Sequence, residues 1–172
     1  MKELGLADIR HLEAAQGWLG LKNWREASAE IANISSAFQS HPDVLQIRWA
    51  IHAAAKEWEL AAQVAESFRE AKPDSPFGFV HLAYALHEMK RTQEAQEVLL
   101  PAVDKFRDEF IIRYNLACYA CQLGDREGAW KWLEKSMALS DPAEVKQMAL
   151  NDPDLEPLRT RIKERWVKEP EE

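Results

Sequence analysis

Cys118-Tyr-Ala-Cys121 has the CxxC spacing that can hold zinc or cycle as a redox dithiol, and His81 and His87 lie upstream of it. Two thiolates and two imidazoles would complete a tetrahedral zinc site. The spacing of the histidines argues against it, because residues six apart point to different sides of a helix. Cysteines three apart on one helical pattern also pack well between helices as small apolar residues. A thioredoxin-like role needs a strand followed by a helix, and no such pattern flanks the pair. The chain carries no nucleophile–base–orienter set, no glycine-rich phosphate loop and no HExxH motif. The residues therefore predict a non-catalytic protein with no metal and no cofactor, and a metal-binding module at Cys118 and Cys121 is the less favoured alternative.

Charge and composition narrow the class further. The 172 residues include 22 Lys and Arg against 29 Asp and Glu, a net charge of -7, which speaks against a nucleic-acid binder. No apolar run approaches the roughly 18 residues that span a bilayer, so no membrane segment is expected. The start, MKELGLADIRHLEAA, is broken by Glu3, Asp8, Arg10 and Glu13 and lacks the core of a signal peptide. Two cysteines three apart are a poor disulfide framework, and the expectation is a reduced, cytoplasmic protein. Only six glycines, with abundant Ala, Leu, Glu and Lys, favour helix.

The elements that must position these residues repeat. Ala27, Ala61, Ala95 and Ala129 are each 34 residues apart. Trp24, Trp58, Thr92 and Arg126 precede them as openings of a second helix. Ile31, Ala65, Leu99 and Leu133 follow at offset four, and Ile34, Phe68, Ala102 and Ser136 at offset seven. These offsets trace one helical face, and the alanine is small so that two helices can approach closely. The pattern predicts four helix pairs over residues 8–41, 42–75, 76–109 and 110–141 in a single domain, with a capping segment over 142–168.

Punctuation supports these borders. Pro42 fits a first helical turn, and Ser75-Pro76 reads as N-cap and first helical position. Pro101 should kink the second helix of the third pair. Asp141 with Glu144 reads as a capping pattern. The leading helix of the second pair is irregular, with Arg48 where the other units place Ala14, Leu82 and Leu116, and Trp49 where they place Ala15, Ala83 and Ala117. That helix is expected to be rotated, or Arg48 to reach solvent over a buried stem. Leu155, Leu158, Ile162 and Trp166 should form the apolar side of the cap, with Trp166 sealing the end. Arg159, Arg161, Lys163, Arg165 and Lys168 read as a solvated basic face diluted by glutamates, and Glu169–Glu172 as an acidic tail.

At this point the chain resembles the tetratricopeptide repeat family over roughly residues 8–140. The fourth unit carries the resemblance best, through Leu116, Ala117, Tyr119, Gly124-Asp125 and Ala129. The third matches through Phe79, Leu82, Ala83 and Ala95, the second through Ala61 and Pro73, and the first through Trp24 and Ala27. Leu150–Leu158, LNDPDLEPL, is similar to a segment that often closes bacterial repeat proteins of this type. The resemblance implies an all-α, right-handed α–α superhelix of four helix pairs with a C-terminal capping helical segment. It implies a protein–protein interaction module, an adaptor or assembly scaffold, that binds a peptide or helix in a concave groove. Lys22, Lys56 and Lys90 depart from the pattern, standing where Gly124 stands, and would strain their turns if left-handed.

On such a fold the groove is lined by the leading helices. The candidates are Phe77, Val80, His81, Tyr84 and His87, then Ile111, Tyr114, Asn115, Cys118 and Cys121. In the first two units they include Ile9, Leu12, Gln16, Leu19, Asp43, Gln46 and Ala50. This face is aromatic and nearly uncharged, so the expected occupant is an apolar or aromatic segment of a partner. A terminal helix or a second copy filling the groove is the alternative, and a homo-oligomer follows from the latter. Asn115 stands without a Lys or Arg beside it in the groove, which speaks against capture of a terminal carboxylate.

Overall fold

Several helices of this chain begin where a side chain supplies an acceptor for free N–H groups. In the computed structural model, which describes residues 3–166 with the side chain of Trp166 excepted, the Ser75 hydroxyl accepts from the Phe77 N–H at 3.4 Å, and Asp125 accepts from Gly128 at 2.8 Å. Asp141 accepts from Ala143 at 2.9 Å, and the His41 imidazole accepts from Asp43 at 3.3 Å. The order is α1 (Leu6–Gly20), α2 (Trp24–Ala32), α3 (Pro42–Ala55), α4 (Trp58–Ala71), α5 (Pro76–Glu88), α6 (Thr92–Leu99), α7 (Ala102–Lys105), α8 (Phe110–Gln122), α9 (Arg126–Met137), α10 (Pro142–Asn151) and α11 (Arg159–Trp166). Short 3-10 turns cover Ser36–Phe38 and Pro153–Leu158, and the described residues contain no strand. The expected roles of Trp166 in sealing the end, of Lys168 in the basic face and of Glu169–Glu172 as a tail fall outside what is described.

The turns inside the helix pairs share one geometry. Lys22, Lys56 and Lys90 have φ of 59°, 59° and 64°, and Gly124 has φ of 88°. At three of them a residue just past the helix donates back across the last turn: Asn23 to the Trp18 carbonyl, Glu57 to His52 and Asp125 to Ala120, each at 2.9 Å. This is the Schellman arrangement, which satisfies carbonyls that the helix end leaves open. Three lysines hold a conformation that glycine adopts without a Cβ penalty.

The chain forms two compact units, residues 1–89 and 90–172. In the first, Leu12, Ala15, Ala27, Ile31, Ile34, Val44 and Ile51 make one buried cluster, with Leu45, Val64 and Phe68 making another. Leu12, expected on the groove face, belongs to this core. Gly78 brings α5 against α4, since a Cβ there would lie 2.9 Å from the Arg69 backbone. In the second unit Ile112, Leu116, Tyr119, Leu133, Val145, Leu155 and Ile162 are buried. The repeated alanines 27, 61, 95 and 129 are all fully buried, as close helix approach requires.

Two residues depart from expectation. Arg48 does not reach for solvent. Its guanidinium turns to Gln39, donating to the backbone carbonyl at 3.4 Å and to the side-chain oxygen, while the Gln39 amide donates to the Ile34 carbonyl at 2.6 Å. Pro101 does more than kink its helix: α6 ends at Leu99 and a separate turn, α7, restarts at Ala102. Arg113, buried in α8, ties down the chain that follows this break. It donates to the carbonyls of Val103 at 2.9 Å, Phe106 at 2.6 Å and Glu109 at 3.0 Å.

Candidate functional site

The leading-helix residues of the first unit gather into an aromatic cluster. Trp49 of α3 meets His81 of α5 edge-on with ring centroids 4.2 Å apart, and lies 6.2 Å from both Phe77 and Tyr84. His81 stacks on Phe77 at 3.7 Å, and Phe77 meets Phe68 at 4.5 Å. Trp58, opening α4, meets Tyr84 at 5.7 Å. The irregular register of α3 explains the assembly: a tryptophan replaces the small residue of the other units and extends onto the aromatic face of α5. Tyr84 is 40% exposed at the rim, whereas His87 is buried, and Phe77, Val80 and His81 are half-buried. Burial lowers the pKa of His81, with the contact to the Phe77 carbonyl at 2.9 Å opposing the shift. The Trp49 indole N–H is buried and meets no acceptor among the described residues.

The second unit is arranged differently. The groove face of α8 is covered by the chain's own Asp152–Leu158 segment. The Tyr114 hydroxyl donates to Asp152 Oδ2 at 2.9 Å, the Cys118 thiol to the same oxygen at 3.5 Å, and the Gln122 amide to the Asp154 carbonyl at 3.0 Å. Asp152 Oδ1 meanwhile accepts from the Asp154 N–H at 2.9 Å, so one carboxylate caps its own turn and fastens it to α8. Tyr114, Cys118 and Cys121 are buried; Ile111 and Asn115 are half-buried. Burial pushes the Tyr114 phenol and the Cys118 thiol up, with the Asp152 carboxylate adding to it, and burial raises Cys121 against the pull of Arg126. Such thiols are neutral and poor nucleophiles. The expectation that Tyr114 and Cys118 stand open to a partner is therefore corrected, and the filler is the 3-10 segment rather than the terminal helix.

No group of three or more His, Cys, Asp or Glu is placed to hold a metal among the described residues. The basic helix α11 also differs from a freely solvated face. Arg161 lies 4.3 Å above the Trp130 ring and pairs with Glu127 at 2.6 Å. The cleft beside it, about 570 Å³, mixes Lys131, Arg161 and Arg165 with Glu127, Glu134 and Glu164, so it presents no net charge of either sign. No described helix is long and apolar enough to cross a membrane.

Sequence reasoning missed Asp152 and Arg113. The signal for the first is an aspartate directly before Pro153, the usual start of a turn. For the second it is a lone cation within FIIRYNLA, in register with Leu45 and Phe79.

No protein-family profile matches the chain. Protein FlbA of Caulobacter vibrioides is 34% identical over 82 residues, 48% of this chain, and the matched stretch spans 14% of the length of FlbA. Among solved structures, TTC0263, a thermophilic TPR protein of Thermus thermophilus, superposes with a TM-score of 0.69 at 15% identity, covering 95% of this chain and 93% of its own. YrrB, a TPR protein with an unusual peptide-binding site, superposes with a TM-score of 0.65 at 13% identity, covering 94% and 87%. With its helices, its 34-residue register and these neighbours, the chain has an all-α helical-repeat fold of the tetratricopeptide type.

Proposed function

We propose that this chain is a non-catalytic protein–protein interaction module, built from helix pairs at 8–41, 42–75, 76–109 and 110–141 with a cap from 142, and that a partner peptide or helix docks on the aromatic face of its first unit. The observation that carries the reading is Tyr84, 40% exposed at the edge of the aromatic cluster. Aromatic side chains backed by packed neighbours make strong anchors, because they bury much area with little entropy to lose. The peptide site of YrrB, on the same fold, supports the same use. The face on α8 is not part of the reading, being occupied by Asp152–Leu158.

The test compares partner capture by wild type and by Tyr84→Ala, after both show equal helicity and melting. Loss of at least about tenfold in affinity, the 1.4 kcal/mol expected of an aromatic anchor, is the expected result. Equal capture by both proteins removes the aromatic face from the function. A second reading, self-association, rests on Leu6 and Leu21, which are 79% and 72% exposed. Light scattering distinguishes it: a concentration-independent monomer mass excludes it.

A further inference from the structure

Arg48 is a half-buried cation whose hydrogen-bond acceptors are all neutral. It is half-buried in a register position that carries Ala14, Leu82 or Leu116 elsewhere. Its two acceptors are the backbone and side-chain oxygens of Gln39, both neutral. A guanidinium has five N–H donors in a fixed fork, so these contacts leave others unused. Charged acceptors such as carboxylate and phosphate match that fork best, and neutral ones offset desolvation of the cation less well. Burial accordingly makes the cation less favourable and lowers its pKa.

Arg48 also lines a pocket of about 170 Å³, together with Ser28, Ile31 and Ala32 of α2 and Ile51 and His52 of α3. The volume is that of one small group, not of a nucleotide. Ser28 brings a hydroxyl, and the His52 ring is held by its Nδ1 contact with Glu57 at 2.7 Å. The pocket lies wholly within the first unit and shares no residue with the aromatic cluster.

We infer that this pocket binds a compact oxyanion, a carboxylate or phosphate group, on the Arg48 guanidinium. Ser28 supplies a hydroxyl donor, and the Ile31 and Ile51 side chains keep the site small and partly dry. The oxyanion could be a free ion or the acidic group of a polypeptide; the guanidinium chemistry is the same.

The experiment is a titration of the ¹⁵N-labelled full chain, following the Nε–Hε resonances of its arginines, with sodium phosphate, sodium acetate and N-acetyl-glutamate amide. Sodium chloride at equal ionic strength is the control. A saturable shift at Arg48, absent with chloride and not shared by the exposed Arg25, is the expected result. Saturation by phosphate alone assigns a free phosphate, and saturation by acetate and the glutamate derivative assigns an acidic side chain. Shifts that rise linearly and equally at Arg25 and Arg48 for every salt overturn the proposal. As a second measurement, phosphate should raise the melting temperature of wild type above its value in chloride, and Arg48→Met should lose that increment. An unchanged increment in Arg48→Met also overturns it. If Arg48→Met does not fold, the wild-type titration decides alone.

Discussion

Arg113 and Arg48 are both set into otherwise apolar helices, yet their surroundings differ. Arg113 is buried and donates to the carbonyls of Val103, Phe106 and Glu109, along the chain that leads from α7 into α8. Its fixed fork therefore ties together the irregular stretch between α7 and α8. Arg113→Met removes a buried guanidinium and its bonds to three carbonyls, and should lower stability by about 2–4 kcal/mol, seen as a reduced urea midpoint. Arg113→Lys should recover only part of the loss, because one ammonium cannot span three carbonyls in fixed directions. A wild-type midpoint in Arg113→Met would mean that water replaces the guanidinium. Neither arginine's role follows from residue type, since a charge within an apolar run signals burial without saying which oxygens it meets.

At the scale of elements, the turns are the most legible feature of the chain. The positions at 34-residue spacing between paired helices all have positive φ, and three hold lysine. Replacing Lys56 by Gly should relieve about 1 kcal/mol of left-handed strain, and Gly124→Ala should impose a similar cost. Both are read as shifts in thermal midpoint, and a stabilised Gly124→Ala would contradict the turn geometry. Helix borders were equally readable, because Ser75-Pro76 and Asp141-Pro142 are local chemistry acting on adjacent backbone. The site was less so. Periodicity places Tyr84 and Cys118 on equivalent faces, and it cannot say that Cys118 is covered from 34 residues downstream while Tyr84 keeps an exposed edge. That difference arises from one long-range contact set, which no window of sequence contains.

Over the whole molecule, the neutral groups beneath the C-terminal segment couple folding to alkaline pH. Tyr114, Cys118 and Cys121 have raised pKa values in the folded chain, chiefly through burial. Unfolded thiols release protons from about pH 8.5 and phenols from about pH 10. A raised folded pKa gives stability that is complete below the unfolded value and is lost as pH rises toward the folded one. The urea midpoint, followed by circular dichroism, should therefore fall from about pH 8.5 upward, and Cys118→Ala should flatten the first part of that fall. A wild-type midpoint level between about pH 7.5 and 10 would refute the linkage.

The Asp152 fastening also bears on how such a chain can grow. Repeat arrays lengthen by duplication, and a new unit is tolerated where its neighbours accept it. The segment at 152–158 is matched to Tyr114, Cys118 and Gln122, while the third unit offers Val80, Tyr84 and Glu88 at the same register. A copy inserted before residue 110 leaves that match untouched. One inserted after residue 141 parts the terminal segment from its hydroxyl and thiol, unless the copy is of the last unit itself. The segment over 152–158 thus fixes the sequence of the unit it covers, and units of other sequence fit only before that one.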